Sequence, residues 1–292
     1  MSQRKGTLLL FIVAVIWGGG FVAVKYALNT GVTPFYLITF RFGIAAITIY
    51  IFARKRIQPH LKSHLKPGIL LGLFLFLGFA FQTFGLELTT PSKNAFLTST
   101  YVVMAPFIYW VVSKKFPDKF TILGAFLTIL GIGFLTLDDG FRLNTGDLLT
   151  LVCAGFFALH IIYIGHYSRV DSKMKADPMT LVFYQMLFAT IFALIAALIF
   201  EPFNTNPDPV GIMAIIYLGI FSTMLAFFLQ NYAQQFVTES RSAIILATES
   251  VFGTLFSVLL LSEILSTNMI IGFSIVFIAI IITETKLKLN IK

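Results

Sequence analysis

The sequence has few charged residues for its length, and this scarcity excludes most classes of soluble protein. Only 12% of its 292 residues are Asp, Glu, Lys or Arg, whereas soluble domains carry about 25%. Hydrophobic residues make up 58% of the chain before its 21 glycines are counted. Because so few polar residues cannot cover a globule in water, the composition excludes a soluble enzyme, a nucleic-acid-binding protein and a disordered chain. It indicates an integral membrane protein.

The sequence also lacks the residues of several catalytic and cofactor sites. Cys153 is its one cysteine, so neither an intrachain disulfide nor a cysteine metal cluster is predicted. It contains no Walker-type phosphate loop, no HExxH motif and no nucleophile elbow. We therefore expect no cofactor, no metal and no catalytic residue. An ATP-driven process would need a separate nucleotide-binding partner.

Long apolar runs occupy nearly the whole chain. A membrane-spanning helix needs about 20 mainly apolar residues, and none of the runs alternates as a barrel strand does. Short polar turns such as Pro67-Gly68 separate the runs. The sequence predicts an all-α integral membrane protein with ten transmembrane helices, at about 7–28, 34–53, 67–87, 94–113, 120–137, 147–167, 178–200, 210–233, 242–261 and 268–285.

Basic residues are concentrated in every second loop. With the N-terminus inside, most of the 21 lysines and arginines fall on the cytoplasmic side. This bias predicts a multi-pass protein of the cytoplasmic (inner) membrane with both termini in the cytoplasm. Arg4 and Lys5 before the first apolar run resemble the start of a signal peptide. No clear Ala-x-Ala cleavage site follows, so we expect an uncleaved first helix.

The two halves of the chain match each other weakly. Gln82 aligns with Gln230, and the same register continues without a gap through Thr100 and Thr248. After a shift of four residues, Arg41 aligns with Gln185. One interpretation is an internal repeat, and the alternative is that apolar helices match by composition alone.

The repeat predicts two five-helix halves, at residues 1–144 and 145–292. Because five is an odd number of crossings, the second half would start on the opposite side of the membrane and lie inverted. Inverted repeats are typical of secondary transporters, whose substrate site lies near the midplane between the repeats.

Several predicted helices carry short motifs that resemble those of one family. They are Trp17-Gly18-Gly19-Gly20-Phe21 followed by Lys25, Arg41, Ser92-Lys93-Asn94-Ala95 with Pro106, and Ser240-Arg241-Ser242-Ala243 followed by Glu249 and Leu259-Leu260-Leu261-Ser262-Glu263. With the helix number and the repeat, they resemble the EamA-type, ten-helix members of the drug/metabolite transporter superfamily. The resemblance implies a transporter of small metabolites whose fifth and tenth helices are peripheral, and it supplies no substrate.

The sequence departs from the family pattern at two positions. Ser250 follows Glu249 where the family often has proline. Lys114 and Lys115 replace the glutamate expected after the fourth helix. The second difference lies at a helix end, where we expect it to change surface charge rather than transport.

Two charged residues lie within predicted helices. Glu249 is about eight residues, or roughly 12 Å, into its helix, where a charge must face protein, water or a partner. It either binds a cationic group or a proton, or ties helices together. Arg41 lies about seven residues, or roughly 10 Å, below the outer end of its helix. It either clamps a substrate carboxylate, or extends to the outer interface or pairs with Glu249.

Uncharged polar and aromatic residues complete the predicted site. Gln82 and Gln230 occupy matching positions and either join helices or line a cavity. His160, with Tyr163 one turn away, is a candidate cavity pair, although a lone helical histidine is more often structural. Trp17 and Tyr101 are candidates from their positions in the first and fourth helices. Glu249 and His160 are the candidate proton-coupling residues.

The sequence therefore predicts a secondary transporter that works by alternating access and exports a small metabolite such as an amino acid. The expected substrate-binding residues are Trp17, Arg41, Gln82, Tyr101, His160, Tyr163, Gln230 and Glu249. The expected partners are the small-molecule substrate, the lipid bilayer and a coupling proton or sodium ion, with the protein a monomer or homodimer. The alternatives are an intramembrane enzyme, disfavoured because no close catalytic pair is visible, and a non-transporting scaffold subunit.

Overall fold

The structure is a computed structural model, and all elements in its described part are helices, which fall into ten spans. This confirms the predicted all-α membrane fold. Lys114, Lys115, Ser240 and Arg241, which carry sequence motifs, lie outside the described part. The described residues are 3–57, 61–113, 116–135, 143–168, 177–203, 207–237, 242 and 245–285.

Seven spans are single helices or nearly so, and three are interrupted. The fourth, eighth and ninth spans change helix geometry part-way. We name the pieces of the fourth and eighth spans separately, and α9 is the longer piece of the ninth. The helices are α1 (Gln3–Asn29), α2 (Pro34–Ile57), α3 (Leu61–Leu88), α4a (Pro91–Ser99), α4b (Tyr101–Ser113), α5 (Lys119–Leu135), α6 (Thr145–Ser168), α7 (Pro178–Phe200), α8a (Pro209–Tyr217), the π-helical α8π (Leu218–Leu225), α8b (Ala226–Ala233), α9 (Glu249–Leu261) and α10 (Thr267–Thr285).

Apolar length explains most of these spans. Six described helical stretches are long and apolar enough to cross a membrane, and they correspond to α1, α2, α3, α6, α7 and the eighth span. The stretches Lys119–Leu135, Ile245–Leu261 and Thr267–Ile282 are shorter but also apolar. Many large apolar side chains on their outer faces are exposed, as expected for helices that contact lipid.

Polar residues fix where several helices begin. Thr90, Asp177 and Asp208 each cap a helix whose first residue is proline, accepting a hydrogen bond from a backbone N–H three residues on. Asp177 also pairs with Arg56 at 2.6 Å, which joins the ends of α2 and α7. Burial of Asp177 by itself would raise its pKa, but hydrogen bonds from Thr180 and Arg56 outweigh this effect and lower the pKa.

The helices pack in a pattern that is the same when the two halves are exchanged. Helix α3 packs on α6 as the eighth span packs on α1, and α3 packs on α7 as the eighth span packs on α2. Helix α4a contacts α6 as α9 contacts α1. The pairs α2–α7, α4a–α9 and α5–α10 each join equivalent helices. The first, second, third, fourth, sixth, seventh, eighth and ninth spans therefore form a bundle, with α5 and α10 paired at one side.

The α5–α10 pair is held by close backbone contact. A Cβ atom added to Gly131 would lie 3.0 Å from the carbonyl oxygen of Gly272, and one added to Gly272 would lie 2.8 Å from that of Gly131. Small residues permit such an approach between membrane helices. Neither helix lines the central cavity described below.

Candidate substrate-binding cavity

A cavity lies inside the bundle, between helices of both halves. The space in it that is open to the centre of a water molecule is about 50 Å³, so it can hold water. It is lined by Trp17, Gly20, Phe21, Val24, Arg41, Phe79, Gln82, Leu86, Tyr101, Phe157, His160, Ile161, Ser222, Phe227, Gln230 and Glu249.

Seven of the eight residues expected from the sequence line this one cavity, although they come from seven different spans. They are Trp17, Arg41, Gln82, Tyr101, His160, Gln230 and Glu249. Tyr163 lies elsewhere, with its ring 5.6 Å from Phe74 and 6.2 Å from Tyr167. The next turn of α6 is closed by Leu71, Ile164 and Leu181, which are fully buried together. The cavity therefore ends before Tyr163, and the expected His160–Tyr163 pair is not formed around it.

Two helix breaks bring Tyr101 and Glu249 to the cavity. Thr100 and Thr248, each directly before one of these residues, have nearly the same backbone angles, with φ −63° and ψ −11° in one and φ −65° and ψ −9° in the other. Each threonine hydroxyl donates to the carbonyl three residues earlier at 2.6 Å. A hydroxyl bonded in this way competes with the helical hydrogen bonds and bends a helix.

Glu249 therefore directly follows this turn, at the start of the second helical piece of the ninth span. The sequence could not reveal the turn because its apolar run continues through Thr248. Glu249 is 5% exposed, and in the described part of the chain its carboxylate has no hydrogen-bond donor and no basic partner within 4 Å. It does not tie helices together as the alternative interpretation required.

Arg41 is almost completely buried, at 2% exposure. Its Nε donates to Thr223 Oγ1 at 3.0 Å and one Nη to Ser222 Oγ at 3.4 Å. Its guanidinium lies 4.2 Å from the ring centre of Phe79, a cation–π contact. Arg41 thus neither extends to the outer interface nor pairs with Glu249, since no carboxylate oxygen among the described residues lies within 4 Å of it. The structure therefore contradicts the two interpretations of Arg41 that involve no substrate, and the carboxylate clamp stays a prediction.

The remaining polar residues of the cavity are held by neutral partners. His160 Nε2 lies 2.9 Å from Gln185 Oε1, the residue that aligns with Arg41. Because an amide oxygen can only accept, this contact places the hydrogen on Nε2. Gln82 donates to Thr98 at 3.2 Å, whereas the side-chain oxygen of Gln230 is buried without a partner in the described structure.

Aromatic rings form much of the cavity wall. The Trp17 ring lies 5.1 Å from Phe227, and Phe79 lies 5.1 Å from Phe157 and 6.2 Å from Phe227. The Trp17 indole N–H donates to the carbonyl of Ser222 at 2.8 Å. The wall is therefore largely aromatic and apolar, and its polar residues include one basic residue, Arg41, and one acidic residue, Glu249.

Comparisons with known proteins identify the family. A model of the EamA-like transporter family matches the chain twice, over residues 4–137 and 144–285. The chain belongs to the EamA-like transporter family. This confirms the resemblance to the drug/metabolite transporter superfamily, and it makes the chain a multi-pass membrane transporter of a small molecule.

Relatives of this EamA-like transporter cover nearly its whole length. An uncharacterized transporter of Archaeoglobus fulgidus is 39% identical over 281 residues, which are 95% of this chain and 85% of that protein. The uncharacterized transporter YdfC of Bacillus subtilis is 27% identical over 286 residues, 92% of this chain and 89% of that protein. A solved crystal structure with 16% identity matches 98% of this chain and all of its own with a TM-score of 0.73, which shows the same fold.

At one end of the EamA-like transporter, three acidic residues of the second half bind helix ends of the first half. Glu263 accepts from the backbone N–H and the hydroxyl of Ser92, at 3.3 and 2.8 Å, where α4a begins. Asp147 accepts from Thr89 at 2.7 Å beyond the end of α3. Glu201 accepts from Thr33 and from the N–H groups of Phe35 and Tyr36, where α2 begins. We call these contacts the acidic seal; the predicted topology puts them on the outer side.

Sequence reasoning missed several cavity residues of this transporter. Ser222 and Thr223 contact Arg41, but small hydroxyl residues in an apolar helix carry no signal of a site. Phe79, Phe157 and Phe227 could not be distinguished from the rest of the 33 phenylalanines. The alignment of Phe79 with Phe227, in the register of Gln82 and Gln230, was the available indication.

Proposed function

We propose that this protein is a secondary transporter that exports small zwitterionic metabolites, such as amino acids, across the cytoplasmic membrane by alternating access. One observation carries the proposal. Arg41 and Glu249 are a buried basic and a buried acidic residue that line one cavity without an ion pair to each other or to another described residue. A buried charge is costly unless it is paired. A substrate with one carboxylate and one ammonium group would complement both residues.

The donor inventory of Arg41 supports a carboxylate ligand. A guanidinium has five N–H groups in a rigid fork, and Thr223 and Ser222 accept from only two of them. The end of the fork is left without an acceptor in the described structure, and it has the geometry for a bidentate carboxylate. Glu249 at the cavity wall would receive the substrate ammonium group, or a proton when the substrate is absent.

The symmetry of the bundle supports alternating access. Helix pairs that exchange between the halves, and the matching threonine breaks, favour two inverted repeats at 1–144 and 145–292. Such repeats can exchange conformations and open the cavity to either side in turn. Both chain termini would lie in the cytoplasm. Coupling to a proton through Glu249 or His160, or to sodium, would drive export.

Counterflow in proteoliposomes tests the proposal. We expect vesicles loaded with unlabelled amino acid to accumulate labelled amino acid, but neither its decarboxylated amine nor its deaminated acid should exchange as well. Arg41→Gln and Glu249→Gln should each lower transport more than tenfold, because each removes a charge-assisted contact worth about 1.5–3 kcal/mol. Glu87→Gln, on an exposed helix face, is the matched control.

Other outcomes would point to other functions. No flux of any metabolite would favour a scaffold subunit, and a chemically altered product would favour an intramembrane enzyme. Equal exchange of the amino acid, the amine and the acid would show that the two buried charges do not select a zwitterion.

A further inference from the structure

The eighth span contains an element that the rest of the bundle does not explain. Leu218–Leu225 is π-helical, between the α-helical pieces α8a and α8b. A π-helix, with i→i+5 hydrogen bonds, is rare and is found mostly as a single turn, often at functional sites. The segment contains no proline, so a missing backbone donor does not cause it.

The π-helical segment changes which residues of the eighth span face the cavity. Ser222, Phe227 and Gln230 line it, with spacings of five and then three residues. A regular α-helix turns about 100° per residue, so an unbroken helix would place Ser222 about 140° away from Phe227 around the helix axis, although within about 80° of Gln230. The i→i+5 geometry aligns Ser222 with Phe227.

The equivalent helix of the first half has no such change. On α3 the cavity residues are Phe79, Gln82 and Leu86, which have the regular spacings of three and four. Phe79 and Gln82 align with Phe227 and Gln230. Of these two equivalent helices, only the eighth span contains a π-helical segment. Only this span places a hydroxyl residue, Ser222, at the cavity five residues before its aromatic residue, Phe227.

Ser222 and Thr223 meet Arg41 at this point. Thr223 Oγ1 accepts from Nε and Ser222 Oγ from the neighbouring Nη2, so both hydroxyls occupy the same side of the guanidinium fork. Thr223 is fully buried and Ser222 is 1% exposed. The Phe79 ring packs against the guanidinium at 4.2 Å. These three contacts restrain the guanidinium in two directions. They leave the Nη1–Nη2 end of the fork without an acceptor among the described residues.

We propose that Ser222 and Thr223, placed by the π-helical segment, are positioning residues that hold Arg41 so that the end of its fork binds the substrate carboxylate. The proposal rests on the proposed function, in which Arg41 is the carboxylate site. A buried arginine without these acceptors would have to rotate to satisfy its Nε–H, because an unpaired charged donor in an apolar wall is unfavourable. That rotation would misalign the bidentate contact.

Transport kinetics with paired variants test this role. Thr223→Val keeps the shape and removes the hydroxyl, whereas Thr223→Ser keeps the hydroxyl. We expect T223V to raise KM for the amino acid about tenfold, since a hydrogen bond to a charged group accounts for roughly that factor or more. T223S should restore KM to within about twofold, and kcat should change little in either variant.

A second variant and a control separate positioning from folding. Ser222→Ala should raise KM less than T223V, because its bond to Arg41 is longer, at 3.4 Å against 3.0 Å. Thr190→Val removes a hydroxyl that bonds only within α7, to the carbonyl of Met186, and should leave KM unchanged. Thermal unfolding of each purified variant identifies general destabilisation.

The results distinguish this proposal from the proposed function. If Arg41→Gln raises KM but T223V does not, or if T223S behaves as T223V does, the positioning role is wrong and the transport function stands. If Arg41→Gln itself has no effect on carboxylate substrates, both are wrong. A rise in KM for the decarboxylated amine equal to that for the amino acid would also overturn the positioning role, because the amine has no carboxylate.

Discussion

The acidic seal makes a quantitative prediction about which side of the transporter is closed. Glu263→Gln removes the charge of an oxygen that accepts from the backbone N–H and the hydroxyl of Ser92 across the two halves. Hydrogen bonds to a charged group contribute about 1 kcal/mol more than neutral ones, so these two bonds, one of them long at 3.3 Å, amount to about 1–2 kcal/mol. The bond from Ser257 does not count, because it is made within the second half. We expect the outward-open population to rise about 5–30-fold.

Thiol labelling measures this change directly. Cys153 is the one cysteine and is buried, so Cys153→Ala gives a background without thiols. A cysteine introduced at Leu86, which lines the cavity and is 1% exposed, reports opening. A membrane-impermeant thiol reagent added outside intact cells should label it about 5–30-fold faster when Glu263 is replaced by glutamine.

A matched control is Asp208→Asn, which removes another helix-capping carboxylate near the same predicted side. Asp208 accepts from Gly211 within its own helix and joins no second helix, so its replacement should leave the labelling rate unchanged. The reasoning fails if E263Q does not increase labelling from outside, or if it increases labelling only when the reagent is inside.

Two further predictions concern stability. Gly131→Val should lower the Tm, because the added side chain overpacks α5 against Gly272 at a cost of about 1–3 kcal/mol. It should leave KM unchanged, because α5 does not line the cavity. Gly133→Val, whose Cβ would have no neighbour within 4 Å, should change neither the Tm nor KM. Asp177 has a lowered pKa, so the bonds that its carboxylate accepts from Thr180 and Arg56 stabilise the fold above the unfolded pKa of about 3.9, and this contribution is lost as pH falls through the folded value. Asp177→Asn should therefore make the Tm fall less steeply as the pH is lowered. The free energy of unfolding involved is less than about 1 kcal/mol for this half-exposed pair, and an unchanged Tm–pH curve would contradict the assignment.

Apolar length predicted the fold because lipid permits few alternatives. A span of about 20 apolar residues must be a helix in the bilayer, so the ten spans follow from hydropathy. The breaks at Thr100 and Thr248 do not interrupt the apolar runs, so hydropathy could not predict them. The same limit concealed the π-helical segment, whose residues are as apolar as those of the helical pieces on either side and include no proline.

Charge and amide residues predicted most of the candidate cavity for a related reason. A polar side chain in a membrane helix must face protein or water, so Arg41, Gln82, Gln230 and Glu249 had few possible environments. Tyr163 had more, because an aromatic ring packs as well against Phe74 and Tyr167 as into a cavity. Partners such as Thr223, far from Arg41 in sequence, required the structure.

The two halves agree in backbone and differ in chemistry, and the proposed mechanism needs both properties. Under that mechanism, equivalent helix pairs and threonine breaks would let each half bend in the same way and would bring inward-open and outward-open states close in energy. At positions that align between the halves, however, Arg41 corresponds to Gln185 and Tyr101 corresponds to Glu249. The shared cavity therefore has one basic and one acidic residue rather than two of each. The acidic seal is likewise supplied by the second half alone. In the proposed mechanism, symmetry would therefore provide the movement, and the residues that break the symmetry would provide the ligand site and favour a state closed on the side of the seal.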